Sequence, residues 1–202
     1  FLCPLVIIES QGGLHIDLAG AALLLAATAL LLARRPLLSA LGLALSFCVK
    51  YVPLALLLFF FHGDEARPRW YSALVDGSPW KAWLLFAAAV VALFLPYAAA
   101  GGLLFQQLFL YGEYWKFNSV LAPLFSLATG GHPLPLRILF LAAVSAWLLA
   151  IPRISLVSRI QWALLALLLS GGAVFPWYLL WLAPFVALEP RRSQVLLLGT
   201  AL

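Results

Sequence analysis

Residues 18–36 read LAGAALLLAATALLLARRP, and this stretch decides the class of the chain. From Leu18 to Ala33 every residue except Gly20 and Thr28 is Ala or Leu, both strong helix formers. The run carries no charge and stops at Arg34-Arg35-Pro36, a basic turn followed by a residue that cannot continue a helix. A hydrocarbon core about 30 Å thick takes roughly 20 apolar helical residues to cross, and this run nearly has that length. Working outward, the same pattern recurs. Leu37 to Phe61 is apolar but interrupted by Lys50 and Pro53. Ala82 to Ala100 is closed by Gly101-Gly102, and Leu136 to Ile151 ends at Pro152-Arg153. Gln161 to Ser170 begins another span, and Phe175 to Leu188 returns to Glu189-Pro190-Arg191-Arg192. Between these runs lie a polar loop, His62 to Lys81, and a long aromatic-rich loop, Leu103 to Pro135.

Composition gives the same answer. Of 202 residues, 65% are hydrophobic and 9% charged, against about 25% charged in soluble domains. The outer surface is therefore expected to face lipid. Twelve Lys and Arg against seven Asp and Glu leave a formal charge of +5. In an apolar chain that excess orients membrane segments, since basic residues gather in cytoplasmic loops, and a nucleic-acid partner is set aside. The chain has no Met, opens in the apolar run Phe1 to Ile8 and stops inside another, Val195 to Leu202. The expected organisation is a single transmembrane domain over 1–202, truncated at both ends, without a recognisable secretory signal. Cys3 and Cys48 lack metal or redox spacing and are expected to be small buried hydrophobes.

Counting crossings predicts a topology. The basic clusters are Arg34/Arg35, Arg67/Arg69/Lys81, Arg153/Arg159 and Arg191/Arg192. Placing all four on the cytoplasmic side puts Glu9, Asp17, the 103–135 loop and the Gly171-Gly172 turn outside. Leu37 to Phe61 must then begin and end on one side. The expectation is an all-α, polytopic transmembrane helical bundle with a re-entrant pair of short helices at 37–61, broken at Lys50-Tyr51-Val52-Pro53. Pro53 removes a backbone donor and disfavours helix at Val52. A single kinked crossing is the alternative.

Four places could carry chemistry, because charge at membrane depth is expensive and usually functional. Glu9, His15 and Asp17 fall within nine residues at the outer mouth of the first span; ordinary cap-region acids fit equally well. Lys50 is an ammonium flanked by apolar residues, able to hold a phosphate as a point charge or to snorkel to an interface. Tyr111-Gly112-Glu113-Tyr114-Trp115-Lys116-Phe117-Asn118 interleaves aromatic and polar groups, as a sugar-binding surface or an interfacial belt does. Phe175-Pro176-Trp177-Tyr178-Leu179-Leu180-Trp181 opens a helix with Pro at an early position. No phosphate-binding glycine loop, zinc-ligand spacing or nucleophile elbow is present.

Taken in order, these four places resemble the GT-C membrane glycosyltransferases, most closely the family 87-like type that uses polyprenyl-phosphate mannose. The matching residues are Glu9 with His15-Ile16-Asp17, then Arg34-Arg35, then Lys50-Tyr51-Val52-Pro53, then Trp115-Lys116-Phe117-Asn118, then Pro176-Trp177-Tyr178-Leu179-Leu180-Trp181. One departure is Leu14, where that family often has Gly before His. The resemblance spans about residues 9–190. It implies an enzyme taking a hexose, mannose first among candidates, from a polyprenyl-phosphate donor to a lipid or glycan acceptor. The reaction would lie on the outer face of a bacterial plasma membrane, with membrane lipids as surroundings and no nucleic acid. No cofactor and no metal ligand are implied, the lipid-linked sugar being the donor substrate. The family's catalytic acid residue lies in the first external loop, so Glu9 and Asp17 stand only as candidates for that role. His15, Lys50, Trp115, Lys116, Asn118, Trp177 and Tyr178 would bind substrate, Lys50 neutralising the donor phosphate. Lys50→Ala is then expected to nearly abolish transfer with the fold intact. The alternative reading is a multispanning transporter or lipid flippase, in which broken helices and intramembrane charge also occur.

Overall fold

A computed structural model of the chain describes residues 15–61, 80–152 and 154–200. The described residues fold as an all-helical chain, and extended pairing among them is limited to one parallel bridge between Phe117 and Ala173. The first two helices, α1 (Asp17–Leu32) and α2 (Pro36–Val49), form a tight hairpin. Arg34 closes α1 in the left-handed region at φ 62°. Its N–H reaches Leu31 O and that of Arg35 reaches Leu30 O, so the last carbonyls of α1 are satisfied before Pro36 starts α2.

Small residues let the two helices approach. Gly42 lies against Ala27, where an added Cβ would stand 3.3 Å from the Ala27 Cβ. Ser39 Oγ donates to Ala27 O at 2.7 Å and Ser46 Oγ to Gly20 O at 2.8 Å. Buried Leu24, Leu31 and Leu43 fill the gaps between these points. Close backbone approach with serine cross-links is how helices associate where lipid leaves no hydrophobic driving force.

The break foreseen after α2 is present. Lys50 is extended (φ −161°, ψ 145°), Val52–Leu56 winds as a 3-10 helix around Pro53, and α3 (Leu57–Phe61) follows. Past the break the chain packs on α4 (Trp80–Phe94) and α8 (Leu156–Ser170). A 3-10 turn, Leu95–Ala100, extends α4. Together Trp80–Ala100 makes 21 residues of mean hydropathy 2.1, long and apolar enough to cross a membrane. Only 11% of its apolar window is buried among the described residues. The other apolar helices, α1, α2, α7 (Leu134–Ala150) and α8, have 14 to 17 residues and reach about 21–26 Å at 1.5 Å per residue.

Three expectations need correction. The 103–135 stretch is not simply a loop: it holds the apolar helices α5 (Leu103–Tyr114) and α6 (Ala122–Ala128), the latter with Pro123 in its first turn. Phe175–Leu188 is not one span. It is a 3-10 helix, Pro176–Trp181, followed by α9 (Ala183–Leu188), because Pro176 and Pro184 each withhold a backbone donor. Cys48 is exposed, since α2 turns Ser39, Ala40, Leu43, Ala44 and Ser46 inward instead; Cys3 lies outside the described residues. The chain then ends in α10 (Arg192–Thr200).

The most buried helix is α8. Its Gln161 is fully buried, with Nε2 donating to Phe185 O at 2.6 Å and to Glu189 O at 2.8 Å. Ser155 caps its first turn through Ser158 N–H. Both hydroxyls donate to the Glu189 carboxylate, and Arg191 Nη2 donates to Ser158 Oγ at 2.7 Å. The opposite end of α8 runs into Gly171 and Gly172, beside the Phe117–Ala173 bridge. The helices thus have one end that holds Arg159, Arg191 and Glu189 and another marked by aromatic rings, toward which Arg137 in the first turn of α7 also lies.

Candidate functional site

Asp17 is the first residue of α1 and is 3% exposed. The helix N-terminus favours its charge, but a buried carboxylate also needs partners. Two arrive from distant sequence. Lys50, freed from α2 by the break, brings Nζ to 2.7 Å from Asp17 Oδ1. Trp181, at the end of the 3-10 helix, donates Nε1–H to the same oxygen at 2.7 Å. The indole fits because residue 20 is glycine: a Cβ there would stand 2.4 Å from Trp181 Cη2. Lys50 Nζ also lies 3.9 Å from the centre of the Tyr178 ring, a cation over an aromatic face.

A column of rings stands beside this pair. His15 stacks on Trp177 at 4.1 Å, Trp177 on Phe175 at 4.5 Å, and Phe175 on Phe117 at 4.7 Å. Trp115 meets Phe175 edge-on at 6.4 Å. The 115–121 segment is strapped to the stretch after α8 by backbone bonds. Phe117 N–H donates to Gly172 O, Val174 N–H to Phe117 O, and Leu121 N–H to Leu169 O. Gly172 permits the contact, since a Cβ there would stand 2.7 Å from Trp115 O. Asn118 turns the strap at φ 48°, a conformation asparagine tolerates better than most residues.

Of the residues singled out in the sequence, His15, Asp17, Lys50, Trp177 and Tyr178 meet directly in one cluster. Trp115 joins through Phe175. Lys116 and Asn118 are exposed on the strap and, among the described residues, make no hydrogen bond or ion pair with the cluster. Glu9 lies outside the described residues. Trp181 and Gly20 were not singled out as site residues. A buried indole needs an acceptor for its N–H, and a glycine inside an Ala/Leu helix invites a close neighbour, so both carried a usable signal.

The ion pair corrects one expectation. Asp17 is buried and Lys50 is its counter-charge, so removing the ammonium strands a carboxylate. Breaking such a pair from one side is strongly destabilising, and Lys50→Ala will disturb the fold as well as any chemistry. Among the described residues no group of three His, Cys, Asp or Glu side chains is placed to hold a metal ion.

The fold and the cluster together define an all-helical protein with one helix long and apolar enough to cross a membrane and a charged, ring-lined cluster where α1, the break after α2 and the 3-10 helix meet. Compared with known proteins, the chain matches no family model, no curated protein and no solved structure.

Proposed function

We propose that the chain is part of a polytopic membrane glycosyltransferase that moves a hexose, mannose first among candidates, from a polyprenyl-phosphate donor to a lipid or glycan acceptor on the extracytoplasmic side. The observation that carries this reading is the convergence, in one cluster, of residues from motifs more than 100 positions apart: His15 and Asp17, Lys50, and Trp177 with Tyr178. A lipid-borne donor needs a cation within reach of the bilayer for its phosphate and aromatic faces for its sugar. Lys50 has three N–H donors and commits one to Asp17; the others serve a phosphate oxygen, stabilising charge that develops on the leaving group. His15, Trp177, Tyr178 and Trp115 line the sugar and headgroup side, with Lys116 and Asn118 on the adjoining strap. In this reading 37–61 is the re-entrant pair, and the arginine-bearing ends of α1, α8 and α10 face the cytoplasm. The helices α1, α7 and α8, of 15 to 17 residues, cross with local thinning of the bilayer.

A transporter or lipid flippase is the second reading. It is favoured by the meeting of two irregular segments, 50–56 and 171–181, at the same place, as in carriers with broken helices around a central site. One experiment separates the two. The full-length protein in proteoliposomes is given radiolabelled polyprenyl-phosphate mannose and membrane acceptors. Labelled product supports glycosyl transfer; movement of label across the bilayer without product supports transport; neither outcome removes both.

A further inference from the structure

Asp17 uses its two oxygens differently. Oδ1 takes both Lys50 Nζ and Trp181 Nε1 at 2.7 Å. Among the described residues Oδ2 takes no hydrogen bond, and it is not one of the atoms sealed inside without a partner. A carboxylate oxygen is a strong acceptor, and one that is neither bonded nor sealed is open to a donor from a ligand. Three kinds of ligand could meet it. A metal cation is disfavoured by the ammonium 2.7 Å from the same carboxylate and by the lack of a ligand set among the described residues. An anion set against Oδ2 itself is repelled by the carboxylate and belongs on the far side of the Lys50 ammonium. A neutral O–H donor fits, because the Asp17–Lys50 pair is neutral as a unit and the incoming proton meets a carboxylate whose other oxygen is held by two donors.

We infer that Asp17 Oδ2 accepts the hydrogen bond of one sugar hydroxyl, the 2-hydroxyl of the donor hexose, and so sets which sugar the site takes. This rests on the lipid-phosphate glycosyltransferase reading. In such a donor the phosphate is attached at the anomeric carbon, and C2 is the next ring carbon that bears a hydroxyl. With Lys50 on the phosphate, the group it touches, Asp17, is placed for that neighbour and not for the distant 6-hydroxyl. Trp181 fixes the carboxylate plane, and Gly20 makes room for Trp181. A site built to bond a hydroxyl discriminates strongly against analogues that lack it, because its own polar atom is then left unpaired.

The test uses the full-length protein in proteoliposomes with polyprenyl-phosphate mannose and its 2-deoxy and 6-deoxy derivatives. The wild type is expected to lose roughly tenfold to a hundredfold in kcat/KM on the 2-deoxy donor and less than about threefold on the 6-deoxy donor. In Asp17→Leu, which keeps size and removes the acceptor, mannose and 2-deoxy donors should be used within about threefold of each other. A wild type indifferent to the 2-hydroxyl, or an Asp17→Leu protein that still demands it, overturns the inference and leaves glycosyl transfer standing. If Asp17→Leu does not fold, Trp181→Phe keeps the carboxylate but frees it to turn. It should shrink the 2-deoxy penalty by at least about threefold, and an unchanged penalty overturns the inference. No hexosyl transfer from any donor by the wild type overturns the glycosyltransferase reading and this inference with it.

Discussion

Lys50 and Asp17 stabilise each other more than either stabilises the chain alone. Asp17 is buried and Lys50 side-chain exposure is 32%, so the two single substitutions are unequal. Lys50→Met strands a buried carboxylate and is expected to lower stability on the order of 2–3 kcal/mol; Asp17→Leu leaves an ammonium that can reach solvent, at about 1–2 kcal/mol. The double substitution Asp17→Leu with Lys50→Met should cost less than the sum, by at least about 1 kcal/mol, since it removes both charges at once. Thermal unfolding of the four proteins in detergent closes this cycle, and additive losses would mean that the contact carries little energy. Gly20 offers a second residue-scale test. Gly20→Ala would gain intrinsic helix propensity of about 1 kcal/mol at an ordinary position. Here its methyl would stand 2.4 Å from the Trp181 ring, so Trp181 must leave Asp17. A lower unfolding temperature together with a red-shifted tryptophan emission is expected; a rise in stability would show that the indole has room to move.

At the scale of elements, the break after α2 is what allows an internal lysine to face an aspartate on the neighbouring helix. The break was legible in the sequence because Pro53 acts locally. The same held for α1, whose Ala/Leu run ends at a basic turn and a proline. What stayed hidden were contacts between segments distant in sequence. Nothing near Trp181 shows that its N–H reaches residue 17, and nothing near Gly172 shows that it lies under Trp115 O. Phe175–Leu188 misled for a related reason. Its composition suits a membrane helix, while two prolines and the packing against α1 and α8 shape it into a 3-10 turn and a short helix. Of the candidate site, the residues in the cluster were readable from order and type, but their arrangement around one carboxylate oxygen was not. Gly172→Ala probes the strap as an element. A methyl 2.7 Å from Trp115 O should push residues 115–118 away and break the Phe117–Gly172 and Val174–Phe117 bonds. Faster hydrogen exchange at Phe117 and Val174, with little change in α1 or α2, is the expected signature, and unchanged protection there would show that the strap is held elsewhere.

For the whole molecule, the two ends differ in kind, and that difference makes orientation testable. Large apolar side chains are exposed on several helices: Leu84, Val91, Leu95, Leu127, Ile138, Leu139 and Trp147 each show more than half of their surface. In water such a surface would associate; in lipid it is the expected exterior. Most of the arginines gather at one end; Arg137, in the first turn of α7, is the exception and lies toward the other. Arg34 and Arg35 follow α1, the sixteen-residue helix that opens at Asp17. Arg191 binds Ser158 at the start of α8, Arg159 Nη2 reaches Ile151 O, and Arg192 starts α10. The ring column and the Asp17–Lys50 pair lie at the other end. If basic residues stay cytoplasmic, the ring-bearing end faces outward. In a full-length protein with cysteines 3 and 48 replaced by serine, Asn118→Cys on the exposed strap should react with a membrane-impermeant maleimide added to intact cells. Arg192→Cys should react only after the cells are opened. The reverse pattern would turn the site toward the cytoplasm and end the case for a donor used outside. Labelling of both positions in intact cells would mean that the two ends are not separated by a bilayer at all.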